Sequence, residues 1–291
     1  MLSYRHAFHA GNHADVLKHF LLAQALDYTR QKDKPFWYID THAGAGLYAL
    51  DTGYATQNAE YENGINKLLD AKNLPQALQD YVSLIQQFNQ QTVFNQKNVR
   101  LYPGSPAIAQ HFLRSDDKMR LFELHPNDHK LLSENFTKQP YKVKNGQVKI
   151  DMQDGFAGLK AILPPPPRRA VVLIDPPYEN KQDYQYVISA CKNALSRFAT
   201  GTYMVWYPLL QRPEPGEMVD ALIGLHVPNW LNVSMTIEAP SAEGFGMFGS
   251  GMFIINPPWQ LQATLAECMP VLTELLAIDS SADFLLEGEV S

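Results

Sequence analysis

Apolar positions recur along the chain in two rhythms. Between residues 11 and 31, Val16, Phe20, Ala23 and Leu26 return every three or four positions, the spacing of one helical face, and Asn12 stands where an N-cap belongs. Residues 36–40, Phe-Trp-Tyr-Ile-Asp, form a short unbroken apolar and aromatic run and read as a strand. Similar runs follow at 119–123, 148–152, 171–175, 203–207, 233–237 and 252–256, with helical or mixed stretches such as 127–136, 155–162 and 181–198 between them. This alternation predicts an α/β fold with a mostly parallel sheet. Four prolines at 164–167 fit neither a helix nor a central strand and form a stiff link into the run at 171–175. Residues 54–100 are polar and rich in Gln and Asn, with helical periodicity at 64–70 and 76–89. They read as a helical insertion (54–101) in a body made of residues 1–53 and 102–291.

A hydrophobic content of 45% over 291 residues is ample for a packed core, and no apolar run approaches the ~18 residues of a membrane span. The first residues lack the apolar segment of a signal peptide. Cys191 and Cys268 have no metal-site or redox spacing and read as buried thiols, so a reduced cytoplasm is the expected location. The net charge of −6 is uneven: residues 260–291 hold Glu267, Glu274, Asp279, Asp283, Glu287 and Glu289 and no Lys or Arg, leaving the rest neutral. The body can therefore face a nucleic acid, without being an indiscriminate binder of one.

The most informative stretch is 171–178, Val-Val-Leu-Ile-Asp-Pro-Pro-Tyr. In an open α/β sheet, ligands bind outside the carboxyl ends of strands. Asp175, Pro176, Pro177 and Tyr178 would stand there as a rigid loop offering acceptors to an exocyclic amine and an aromatic face to the ring that bears it. This motif resembles that of S-adenosylmethionine-dependent methyltransferases acting on the amino nitrogen of a base. Three more acids close earlier strands: Asp40 before the turn Thr-His-Ala-Gly-Ala-Gly (41–46, with His42 and Gly44), Glu123, and Asp154 next to Gly155. Glycines at 44 and 46 let backbone approach a ligand closely. Glu123 suits a ribose diol and Asp154 an adenine amine. Ser105, in Tyr-Pro-Gly-Ser-Pro, could bond the methionine moiety or cap the next helix.

Residues 4–19, Tyr-Arg-His-Ala-Phe-His-Ala-Gly-Asn-His-Ala-Asp-Val-Leu-Lys-His, place four histidines in fourteen positions. His9 and His13 have the i, i+4 spacing of a zinc pair, but Gly11 interrupts it and no metal site is expected. The segment better suits phosphate and base contacts. With Asp-Thr-His-Ala-Gly-Ala-Gly, Tyr-Pro-Gly-Ser-Pro and Ile-Asp-Pro-Pro-Tyr, it resembles the RlmJ family, bacterial methyltransferases of the N6 amine of one adenine in 23S ribosomal RNA, over nearly the whole chain. The resemblance implies a Rossmann-like class I fold of the seven-stranded type. It also implies cofactor contacts at His19, His42, Ser105, Glu123, Asp154 and Gly155, a catalytic Asp175, and substrate contacts at Tyr4, His6 and Lys18. No obligate protein partner is inferred. Asn256-Pro257-Pro258-Trp259 also fits the amine-methyltransferase pattern, but follows a late strand expected to be antiparallel, which points its loop away from the cofactor. Competing readings are a DNA adenine-N6 or cytosine-N4 methyltransferase, a non-catalytic nucleotide-binding module, and a metal-dependent hydrolase built on the histidines.

Overall fold

The computed structural model describes residues 6–51, 55–90, 100–137 and 146–290. A short 3-10 turn at His6–Phe8 leads into helix α1 (His13–Arg30), where the Asn12 side chain accepts from the Asp15 amide at 3.0 Å, as an N-cap should. Strand β1 (Trp37–Asp40) enters the sheet. A two-stranded ribbon of β2 (Leu47–Ala49) and β3 (Leu101–Pro103) encloses the helices α2 (Ala55–Asn58), α3 (Ile65–Asp70) and α4 (Gln76–Gln90). The remainder alternates: α5 (Ser105–Phe112), β4 (Lys118–Phe122), α6 (Pro126–Thr137), β5 (Val148–Asp151), α7 (Gly155–Ile162), β6 (Ala170–Ile174), α8 (Gln182–Arg197), β7 (Thr202–Leu210) and α9 (Glu214–Ile223). The chain closes with β8 (Trp230–Thr236), β9 (Met247–Ile255), α10 (Leu261–Leu276) and β10 (Asp283–Glu289).

The main sheet has eight strands in the order β10-β8-β9-β7-β6-β1-β4-β5. Strands β5, β4, β1, β6 and β7 run parallel, and β9 is antiparallel to both β7 and β8. From β1 the chain steps outward to β4 and β5, then returns to β6 on the other side. The order therefore reverses between β1 and β6, where a crevice opens outside the carboxyl ends of the strands. β6 is buried along its length, as its run Ala-Val-Val-Leu-Ile requires of a central parallel strand.

Two features depart from the sequence expectation. The eighth strand, β10, comes from the acid-rich end, with Phe284 and Leu286 packed on the core and acids alternating outward. The polar insertion shares the main core: Leu78, Tyr81, Ile85 and Phe88 of α4 bury in the same cluster as Leu17 and Phe20 of α1 and Leu265 of α10. Among the described residues no helix is long and apolar enough to cross a membrane.

Candidate active site

The carboxyl ends of β1, β4 and β5 form one side of a cleft of about 590 Å³. After β1 the chain turns through Gly44 at φ +58, and the Gly44 amide donates to Glu123 Oε2 at 2.8 Å. The other oxygen, Oε1, accepts the His125 amide at 2.7 Å. Burial raises Glu123 above the usual carboxylate range, against the pull of these two amides. Asp154 caps α7, accepting the Ala157 amide at 2.7 Å. The next residue, Gly155, lies so close to the backbone of Thr41 that a Cβ there would stand 1.8 Å from the Thr41 carbonyl oxygen. The His42 ring meets the Thr41 hydroxyl at 2.8 Å and lies edge-on to Phe156 at 5.1 Å. Burial lowers His42 to about 4, so it is neutral at pH 7.

The other side of the cleft is built from the end of β6 and from α1. Lys18 is buried, and its Nζ lies 2.6 Å from Asp175 Oδ2 and 3.0 Å from Asp15 Oδ1. Asp15 is wholly buried and also accepts His6 Nε2 at 2.9 Å and the Gly11 amide at 3.0 Å. Against the cost of burial, the neighbouring His6 and Lys18 hold its carboxyl well below the usual range. His19 is buried with Nδ1 2.8 Å from the Tyr102 hydroxyl, and burial lowers it to about 3. Behind the loop, the Tyr178 hydroxyl donates to the Trp206 carbonyl at 2.6 Å, and Arg212 donates to the Tyr178 carbonyl at 3.1 Å.

The family model described as ribosomal RNA large subunit methyltransferase D, RlmJ, matches residues 33–284. The chain belongs to the RlmJ family. It is 42% identical over 287 residues, 99% of this chain and 98% of the other, to ribosomal RNA large subunit methyltransferase J of Haemophilus influenzae. It is 43% identical over 272 residues, 94% of this chain and 93% of the other, to the protein of that name in Escherichia coli K12. A crystal structure of a protein from Legionella pneumophila superposes with a TM-score of 0.85 at 35% identity, covering 97% of this chain and 98% of that one. As an RlmJ-family member, this chain is a large-subunit ribosomal RNA methyltransferase.

The RlmJ-type cleft gathers His6, Lys18, His19, His42, Gly44, Ser105, Glu123, Asp154, Gly155, Asp175, Pro176, Pro177 and Tyr178, all named from the sequence, along its lining. Asp40 does not line it. That carboxylate is fully buried beneath the Thr41–Gly44 turn, accepting from Tyr38 and Ser105 hydroxyls at 2.7 Å each and from the His42 amide at 3.2 Å. Burial pushes it up to about 6. The Ser105 hydroxyl is thus spent on Asp40, while Gly104 occupies the N-cap position of α5, so the capping alternative falls. Lys18 is not held out toward a phosphate, because two carboxylates bind its ammonium group. Tyr178 offers little open face: it is 3% exposed and packs at 4.5 Å on Tyr184. Tyr4 lies outside the described residues. Asn256 donates to the Ala199 and Gly201 carbonyls, each at 2.8 Å, beside the amino end of β7 and so across the sheet from the cleft. His9 pairs with Glu60 rather than with His13, and among the described residues no group of three or more His, Cys, Asp or Glu could hold a metal. Both cysteines are free and buried.

Sequence reasoning missed Asp15 and Trp206. Asp15 carried a signal, since it lies three residues after the Asn12 cap and three before Lys18. Trp206 carried none: it sits inside an apolar strand run, and only its register beside β6 brings it to the cleft.

Proposed function

We propose that this protein methylates the N6 amine of a specific adenine in 23S ribosomal RNA. The observation that carries this reading is the Asp175-Pro176-Pro177-Tyr178 loop at the switch point, facing the Glu123 side of one continuous cleft. The residues on that side fit S-adenosylmethionine. Glu123 spends one acceptor site per oxygen on a backbone amide and keeps the rest for a ribose diol. Leu124, 49% exposed, and Phe156 supply apolar surface for a flat heterocycle. Asp154 retains one carboxylate oxygen beyond its capping bond for an adenine amine. S-adenosylmethionine, when bound, supplies a methyl group already activated by its sulfonium.

What is left for the protein is orientation and charge placement. The amine of adenine is a weak nucleophile because its lone pair is delocalised into the ring. Asp175 and the Pro176 carbonyl accept its two N–H bonds, which draws the nitrogen toward tetrahedral geometry. Proline at 176 and 177 keeps that loop stiff. Lys18 pairs with Asp175 and fixes its direction. Asp15 gives the same ammonium a second partner when the amine takes up Asp175. The proton leaves once the nitrogen is cationic, so Asp175 need not be a strong base. The base reaches this site only outside its helical stack. His6, held by Asp15 at the mouth of the cleft, lies on the RNA side.

Methyl transfer from labelled S-adenosylmethionine to 23S-derived transcripts and to duplex DNA, followed by nucleoside analysis, tests the reading. N6-methyladenosine in RNA alone is expected. Label in DNA would overturn the substrate, and any other methylated nucleoside would overturn the position.

A further inference from the structure

Trp206 lies on β7, and the parallel pairing of β6 with β7 sets Ile174 opposite Val205. One residue further, Asp175 and Trp206 are neighbours across the strand ends, on the same face of the sheet. Lys18 marks their closeness: its Nζ is 2.6 Å from Asp175 and 5.6 Å from the centre of the Trp206 ring. The ring lines the cleft. Its carbonyl takes the Tyr178 hydroxyl, but its indole Nε1, shielded from water, has no hydrogen-bond partner among the described residues. A buried donor without an acceptor is costly, and one beside the cleft calls for an explanation.

An adenine amine sits on C6, between the ring nitrogens N1 and N7. Both are acceptors, and neither can be satisfied by Asp175 or by the Pro176 carbonyl, which are acceptors themselves. The cleft needs one donor beside its acceptors. We infer that the indole Nε1–H of Trp206, uncovered as the base enters the cleft, donates to a ring nitrogen adjacent to the target amine and so selects the base. This rests on the adenine-N6 reading above. Asp175 and Pro176 then read the amine, and Trp206 reads the atom next to it. A guanine turned to present its N1–H there would set donor against donor. A site built around such a bond rejects analogues that lack the partner atom, because the buried group is left unpaired.

The experiment combines Trp206→Phe with transcripts carrying 1-deazaadenosine or 7-deazaadenosine at the target. The parent enzyme should lose about 10- to 100-fold in kcat/KM on one of the two analogues, the range of a buried polar group left without its partner. Trp206→Phe should lose a similar factor on ordinary adenosine and nothing further on that analogue, the non-additivity of two changes to one bond. Its affinity for S-adenosylmethionine should stay at the parental value. If Trp206→Phe does not fold, 3-benzothienylalanine at position 206, which exchanges the N–H for sulfur in the same shape, takes its place. Equal turnover of adenosine and both analogues by the parent overturns the inference. So do losses that multiply when variant and analogue are combined, or a variant as active as the parent. A parent enzyme that forms no N6-methyladenosine on the ordinary transcript would instead refute the adenine reading.

Discussion

Gly155→Ala perturbs the cleft by space alone. Gly155 opens α7 with an ordinary helical φ, so alanine has no backbone objection there. The added Cβ would lie 1.8 Å from the Thr41 oxygen, 2.6 Å from its carbonyl carbon and 2.8 Å from its Cα. All three are main-chain atoms at the end of β1, so no side chain can turn aside. Ordinary contact begins near 3.4 Å, so the two segments must part by about 1.6 Å. Overpacking of this kind costs about 1–3 kcal/mol, and a chain of this size loses roughly 2–4 °C per kcal/mol, so Tm should fall by about 2–12 °C. The larger effect is on binding. Asp154 and Phe156 move with the start of α7, and a displacement beyond 1 Å in a positioned site costs on the order of 100-fold. Calorimetric titration with S-adenosylmethionine and a thermal scan read both numbers. Gly216→Ala in α9, where a Cβ meets nothing within 4 Å, is the control and should keep affinity and Tm at or above the parental values. A Gly155→Ala protein that binds cofactor as tightly as the parent would refute the close-contact reasoning.

Asp175→Ala should abolish or severely reduce methylation while cofactor affinity stays within a modest factor, whereas Asn256→Ala should remain active in the same radiolabel assay; the reverse pattern would move the chemistry to the second motif. Glu123→Gln puts an NH2 against a backbone N–H and removes the charge, so S-adenosylmethionine affinity by titration should fall about 10- to 150-fold, from roughly 1.5–3 kcal/mol for a charged hydrogen bond. Lys18→Met leaves Asp15 and Asp175 without their shared cation and should destabilise the fold by about 3–5 kcal/mol, the cost of breaking a buried pair from one side. Its RNA affinity should keep the parental salt slope, and a slope lower by about one would show instead that Lys18 binds a phosphate. His19 titrates near 3 when folded and near 6.5 when unfolded, so the unfolded chain binds the extra proton between those values. Stability from this residue is therefore complete above pH 6.5 and lost on acidification, by about 2 kcal/mol from pH 7 to pH 5. Urea titrations of His19→Gln at both pH values should show that much less acid sensitivity; an unchanged pH dependence would rule out a buried neutral His19.

The strands and the turn after β1 were legible because local patterns decide them. An all-apolar run such as 171–174 has one place in an α/β sheet, and an acid at its end has one environment. The helical cap at Asn12 was legible for the same reason. What a side chain does at the cleft depends on partners far away in sequence. Lys18 meets Asp175 across 157 positions, and nothing near residue 18 announces it. Asp40 looked like its fellow strand-end acids, yet the Tyr38 and Ser105 hydroxyls draw it beneath the turn. Tyr178 was expected to offer a free face because the motif contains an aromatic, but its packing against Tyr184 closes that face. The acidic end hid a strand because its charges outweighed the alternation of Phe284 and Leu286.

That last strand changes how the charge of the molecule acts on a polyanion. Four strand spacings separate β10 from β6, roughly 19 Å across the sheet at about 4.8 Å each. Physiological salt screens charge over about 8 Å. Asp283, Glu287 and Glu289 are therefore more than two screening lengths from Asp175, and their field is nearly spent before it reaches an RNA strand at the cleft. They act at the rim, where carboxylates along an outermost strand discourage a second sheet from pairing with it. The same acids that make the chain an unpromising RNA binder by net charge keep it from adding strands to itself, at a distance where RNA does not feel them.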